Sequence, residues 1–116
     1  MYEYKVVFHI DEMNKWKLLL ANVTNLINAL EGNPYRIVVV ANGEAVKYYD
    51  TTQDLGAGPA ALEKLSAQGT RFTACKNALA ANHMEKFDLI PLVEIVPAGV
   101  MELAKKHREG YAYIKP

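Results

Sequence analysis

Two apolar runs set the frame of the chain. Residues 4 to 10 read YKVVFHI and residues 36 to 41 read RIVVVA. Both are too continuously β-branched or aromatic for strands with one wet face, so each predicts a strand buried on both sides. The first is expected near the middle of its sheet. Between them Trp16, Leu19, Leu20, Val23, Leu26, Ile27 and Leu30 recur at spacings of three and four, which predicts an amphipathic helix over 14–31. Asp11 or Asn14 would cap its start, and Gly32 and Pro34 mark its end. Strand, helix, strand at this spacing implies a right-handed parallel crossover.

The remainder repeats the alternation with shorter elements. Asn42-Gly43 turns the chain, and the polar stretch 50–58, DTTQDLGAG, predicts a mobile loop ahead of Pro59. Proline suits the first position of a helix, here one ending near Gly69. Arg71 to Cys75 reads as a third strand and Asn77 to about His83 as a short helix. Pro91 is tolerated at the start of a fourth strand, Leu92 to Val96, because a missing N–H is harmless there. A helix over 100–108 stops at Gly110, and Tyr111 to Ile114 supplies a fifth strand. The pattern predicts an α/β fold: a three-layer α/β/α arrangement around a mostly parallel five-stranded sheet, flavodoxin-like in outline.

Length and composition narrow the function classes. A chain of 116 residues suffices for one compact core and is short for two, so residues 1–116 are expected to form a single domain. Half of the residues are apolar, enough to offset the entropy of folding. Thirteen basic side chains balance thirteen acidic ones with no cationic run, which argues against nucleic acid as a partner. No apolar stretch approaches the ~20 residues needed to cross a bilayer, and the N-terminus lacks a basic leader. A cytoplasmic protein without membrane association is expected. The single cysteine, Cys75, leaves no internal disulfide and no CxxC pair, which suits a reducing compartment.

In open parallel sheets ligands bind beyond the carboxyl ends of the strands. That rule selects four junctions: His9 to Glu12, Asn42 to Glu44, Cys75 to Asn77, and Pro97 to Gly99. Cys75 stands where a helix N-terminus favours an anion, a setting that lowers a thiol pKa and supplies thiolate. Cysteine is also among the most buried residue types, and position alone leaves both readings open. With one thiol the available chemistry is persulfide carriage, a mixed disulfide or sulfenate formation.

His9 and Asp11, two apart, project to one side of an extended chain and could support a reactive thiol or a ligand. The favoured readings for them are structural: Asp11 as the helix cap and His9 bonded to backbone. Asn42, Gly43, Asn77 and Gly99 could bring amide donors and exposed N–H groups to a pocket, and each also suits a turn or a cap. His83 and His107 are too scattered to complete a metal site with His9, so no metal is expected. No GxGxxG, Walker A or GxSxG pattern is present, and no cofactor is expected. Tyr2, Tyr4, Tyr48, Tyr49, Tyr111 and Tyr113 suit a subunit interface as well as ordinary half-buried packing, and a homo-oligomer is expected.

Four stretches taken jointly carry a resemblance that extends over nearly the whole chain. VVFHIDE at the start, ALEG followed by RIVVVANGEAV, LSAQGTRFTACKNAL around the cysteine, and IVPAGVMELAKKHREGYAYIKP at the end resemble the DsrE/DsrF-like sulfur-relay family, in particular its small single-domain members. The resemblance implies a trimer or hexamer of α/β/α subunits. It also implies that Cys75 carries sulfane sulfur as a persulfide and passes it to a partner protein. Asn77 matches the motif around the cysteine, and His9, Asp11, Asn42, Gly43 and Gly99 match the strand ends that would surround the pocket. The competing expectation is an oligomeric module for a small ligand or a protein partner in which Cys75 is not catalytic. Any enzymatic activity would be that of a low-turnover sulfurtransferase.

Overall fold

A computed structural model describes residues 2–52 and 58–116. Five strands alternate with four helices: β1 Tyr4–Ile10, α1 Trp16–Ala29, β2 Tyr35–Ala41, α2 Gly58–Ala67, β3 Thr70–Cys75, α3 Lys76–Ala81, β4 Glu94–Val96, α4 Gly99–Arg108 and β5 Ala112–Ile114. The strands form one sheet in the order β4-β3-β2-β1-β5, and every neighbouring pair is parallel. The expected α/β architecture is therefore present, with the sheet wholly parallel and β2 at its centre beside β1.

The strand order also fixes which face each helix covers. From β1 to β4 the chain steps across the sheet in one direction, and after β4 it returns past the whole sheet to β5. Crossovers of one hand place the helices of the outward steps on one face and the helix of the return on the other. The packing follows. Val6, Phe8 and Ile10 of β1, Ile37 and Val39 of β2, and Phe72 and Ala74 of β3 meet α1, α2 and α3 through Trp16, Leu19, Val23, Leu62, Leu65 and Leu79. On the opposite face Val7, Val38, Val40 and Tyr111 form a second, smaller cluster against Leu103 of α4. Period-two alternation along each strand divides its side chains between the two.

Several boundaries depart from the sequence pattern, each for a physical reason. A 3-10 turn over Met13–Lys15 precedes α1, and neither Asp11 nor Asn14 caps the helix. The Met13 N–H instead donates to Glu44 Oε2 at 2.7 Å, so a carboxylate distant in sequence performs the capping. Asn42-Gly43 opens a 3-10 run over Gly43–Tyr49 rather than a simple turn. Ala45, Val46 and Tyr49 bury one side of that run, and Trp16 Nε1 donates to Ala45 O at 3.0 Å. Gly58 belongs to α2, with Pro59 its second residue. The predicted loop over 50–58 falls partly on residues 53–57, outside the described residues. Its first part is pinned: Asp50 bridges Leu89, and the Thr51 N–H donates to Asp88 O at 2.7 Å.

The tyrosines divide into different roles. Tyr49 is wholly buried and donates to Thr73 O at 3.0 Å, and burial pushes its phenol well above the ordinary range. Tyr48 stacks on Trp16 with ring centroids 4.6 Å apart. Tyr111 lies in the second cluster under α4. Tyr49 and Tyr111 are buried within the subunit, and Tyr48 is half-buried.

Candidate functional site

The face covered by α4 carries the candidate site. Counting alternately from Val7, Val40 and Thr73 puts His9, Asn42 and Cys75 on that face at the carboxyl ends of β1, β2 and β3. The register pairs Ile10 with Ala41 and Ala41 with Ala74, so Asn42 and Cys75 follow as neighbours one step further on. Parallel strands stopping in register thus bring together three polar groups that lie far apart in sequence.

Gly99, the first residue of α4, closes the corner. A Cβ built on it would lie 3.1 Å from Asn42 Cβ, 3.3 Å from Asn42 Nδ2 and 3.3 Å from Cys75 Cβ. A Cβ there would press on both side chains unless they gave by a few tenths of an ångström, so the close approach of α4 to the strand ends favours glycine. Cys75 is also the N-cap residue of α3. The first residue of α4 thus comes close to the residue that precedes α3. Cys75 retains only 7% of its accessible surface and packs into the edge of the larger core.

His9 links this corner to the edge of the sheet. Its Nε2 lies 3.0 Å from Asn42 Oδ1 and its Nδ1 lies 2.6 Å from the hydroxyl of Tyr113. Tyr113 stands opposite Val7 in the β1–β5 ladder, which places it on the same face. The expected backbone bond of His9 is thus replaced by two side-chain partners. Asp11, rather than capping α1, faces Lys115 with Nζ to Oδ2 at 3.4 Å. Its carbonyl lies 3.2 Å from where a Cβ on Gly43 would sit, and Gly43 has a φ of +55°, a second reason for glycine there.

Four of the seven residues singled out in the sequence therefore lie in one chain of close approaches, Cys75 and Asn42 through Gly99 and Asn42 to His9, while Asp11 and Gly43 pack on each other as a separate pair. Asn77 is exposed on the first turn of α3 and does not join the chain. Pattern reading missed Tyr113, Lys115 and Asn82 as site residues. Asn82 Nδ2 donates to Ala78 O at 2.7 Å and to Gly43 O at 3.2 Å, tying the end of α3 to the segment after β2. Only alternation along β5, counted from its pairing with β1, could have found Tyr113.

Among the described residues, no three His, Cys, Asp or Glu side chains are grouped so as to hold a metal ion. Among them, too, no helix is long and apolar enough to cross a membrane. A cleft of about 480 Å³ lined by Trp16, Leu20, Tyr48 and Ala61 lies on the opposite face of the sheet from Asn42.

The fold has solved counterparts. It is similar to a protein of unknown function, MTH1491 from Methanobacterium thermoautotrophicum, at 38% identity and a TM-score of 0.86, covering 97% of this chain and 99% of that one. It is also similar in fold to the ychN protein from E. coli, at 21% identity and a TM-score of 0.72 over the full length of both. No curated protein matches the chain. The DsrE/DsrF-like family profile matches residues 4–116, nearly the whole sequence and all five strands, and the chain belongs to the DsrE/DsrF-like family.

Proposed function

We propose that this protein is a sulfur carrier in which Cys75 accepts a sulfane sulfur and hands it to a partner thiol. The observation that carries the reading is the position of the thiol. Cys75 sits at the carboxyl end of β3, at the start of α3 and against the first residue of α4, within contact of the residue that also touches Asn42. The first N–H groups of a helix have no partner within it, and at the start of α3 they are available to a sulfur group carried on Cys75. Family membership supports the same chemistry.

In the loading step the Cys75 thiolate attacks the outer sulfur of a donor persulfide, R–S–SH. A new S–S bond forms as the donor's S–S bond breaks, and the donor leaves as its thiolate R–S⁻. Cys75 then holds the sulfur as a persulfide, with no net oxidation and no second cysteine required. Unloading is the same exchange onto a partner's thiolate. His9, Asp11, Asn42, Gly43 and Gly99 shape the corner, and Asn77 lies on the approach to it. The working form is a homo-oligomer, a trimer or hexamer, and exposed Val100 and Met101 on α4 support an assembly. The protein functions in the cytoplasm, with a sulfur donor or acceptor protein as its transient partner.

Intact-mass spectrometry of the native protein after incubation with a polysulfide donor tests this. Wild type is expected to gain one sulfur mass that reductant removes, and Cys75→Ser to gain none. Equal gain in both, or none in either, overturns the reading. The burial of Cys75 favours a second reading, an oligomeric module that binds a small ligand or protein with the thiol as a wall. It predicts ligand binding that survives Cys75→Ser and shows as a shift in thermal stability.

A further inference from the structure

At the amino ends of the strands, the end of the sheet away from Cys75, three basic residues stand on the α4 face. Alternation along the strands groups Lys5 of β1 with Val7, Arg36 of β2 with Val38, and Arg71 of β3 with Thr73. Lys5 lies opposite Arg36 in the ladder and Val38 opposite Arg71, so the three cations stand on neighbouring strands. Lys5 is taken up by the end of α4, donating to Glu109 O at 3.2 Å. Arg36 and Arg71 instead line a pocket of about 250 Å³ together with Tyr35, Gly69 and Tyr111. Among the described residues these two arginines are the only charged groups on its wall, and no carboxylate lines it.

Both guanidinium groups are held by carboxylates that do not line the pocket. Arg71 donates from Nε and Nη2 to Glu94 at 2.9 and 2.8 Å, and Arg36 donates from Nε to Glu3 at 3.2 Å. A guanidinium carries five N–H donors in a planar fork, so these bonds leave others unused. Among the described residues, no acceptor meets Nη1 of Arg71 or either Nη of Arg36. The side chains of Arg36 and Arg71 are 64% and 56% exposed, so a dissolved anion reaches both. Their ion pairs also limit the side-chain freedom that a ligand would otherwise have to quench.

We propose that the pocket between Arg36 and Arg71 binds a small dianionic oxoanion of the phosphate or sulfate kind. Guanidinium N–H groups meet the oxygens of such a group in pairs, which a spherical anion cannot match. The volume admits the free ion and equally the phosphate group of a small metabolite. Binding is weak, because the site is open to water and Glu3 and Glu94 lie near enough to repel a further negative charge. The inference rests on no part of the sulfur-carrier reading, since neither Cys75 nor its neighbours enter the pocket wall.

Nitrogen-15 NMR titration of the full chain with sodium phosphate, set against sodium chloride at matched ionic strength, tests the site. Wild type is expected to show saturable shifts at Val38, Gly69, Arg71 and Tyr111 with phosphate and none that saturate with chloride. Arg36→Gln and Arg71→Gln are each expected to weaken phosphate by about tenfold, the size of one hydrogen bond to a charged group. The spectrum itself reports that each variant is folded. Glu94→Gln removes a repelling charge and keeps both guanidinium groups, so it is expected to bind at least as tightly as wild type. Cys75→Ser should bind as wild type does. Shifts that never saturate, equal shifts in chloride, or an affinity indifferent to both arginine substitutions overturn the proposal, and so does weaker binding in Glu94→Gln. Glycerol 3-phosphate separates the two sources of the group. Tighter binding than inorganic phosphate assigns the pocket to a phosphorylated metabolite, and equal or weaker binding assigns it to the free ion.

Discussion

The two faces of the sheet differ in what they do. On the face covered by α1, α2 and α3, aromatic and aliphatic side chains interlock around Trp16, Phe8, Tyr49 and Phe72, and hydrogen bonds there serve burial, as when Trp16 donates to Ala45 O. On the face covered by α4 alone, only Val7, Val38, Val40 and Tyr111 are buried as a cluster. The other inward positions carry polar groups: His9, Asn42, Thr73, and Lys106 held between Glu102 and Glu109 over the Tyr111 ring. One helix leaves the strand ends accessible to side chains that bond one another. A thickly covered face supplies stability, and a thinly covered one leaves room for chemistry.

The sharpest way to break this contrast is on the larger face. Trp16→Ala removes a ring at 1% exposure and leaves the Ala45 carbonyl without its donor, so a loss of ~3–5 kcal/mol is expected in urea unfolding. The same variant should leave the contacts of His9 with Asn42 and Tyr113 unchanged wherever the protein remains folded. A change in the NMR signals of the His9 ring would mean that the two faces are not separable.

A smaller effect is expected where the faces meet. Gly99→Ala gains helix propensity, yet its Cβ would press on Asn42 and Cys75 at 3.1–3.3 Å. Overpacking costs ~1–3 kcal/mol and alanine in a helix returns up to ~1, so a net loss of about 1 kcal/mol is expected. The effect on the thiol should be larger than this, with alkylation of Cys75 slowed by about tenfold. A variant of unchanged reactivity would show that α4 does not close the corner.

The smallest effect lies at the rim of the α4 face, where Glu94 pairs with Thr73, two residues before the thiol. Arg71 and Glu94 form a two-pronged pair at 2.8 and 2.9 Å, and the Arg71 hydrogen bond holds the Glu94 carboxyl below its ordinary range, with burial opposing. A carboxylate depressed by folding stabilises above its unfolded pKa, and that contribution is lost as pH falls through the folded value. Both side chains are about half exposed, so the pair contributes only ~0.2–1 kcal/mol. Glu94→Gln should lower stability at neutral pH by that amount and by nothing in strong acid. Urea midpoints measured at both pH values check it, and Cys75 labelling should not change.

The same division explains what was legible in the sequence. Continuous β-branched runs and three-four spacing revealed β1, α1 and β2, because burial on both sides of β1 and β2 and on one side of α1 leaves a periodic trace, while proline and glycine marked several of the shorter elements. The 3-10 run over Gly43–Tyr49 left almost none: Ala45, Val46 and Tyr49 are one short turn of burial behind an Asn-Gly pair that reads as a bend. At the candidate site, the rule of strand carboxyl ends selected His9, Asn42, Cys75 and Gly99, and the structure brings these four together, since a parallel sheet must bring those junctions to one edge. It could not assign their partners. His9 meets Tyr113 and Asp11 meets Lys115 only because β5 returns to lie beside β1, and strand order is a long-range property that local periodicity does not encode. Glu44, which accepts from the first N–H of the 3-10 turn ahead of α1, was hidden for the same reason.

The central claim is that a thiol with 7% exposure remains within reach because the α4 face is thinly covered. The rate at which iodoacetamide alkylates Cys75 in the native protein, set against the rate of global unfolding from hydrogen exchange, tests it most directly. The account predicts labelling much faster than global unfolding. Labelling that proceeds only as fast as the molecule unfolds would contradict it and make Cys75 a core residue.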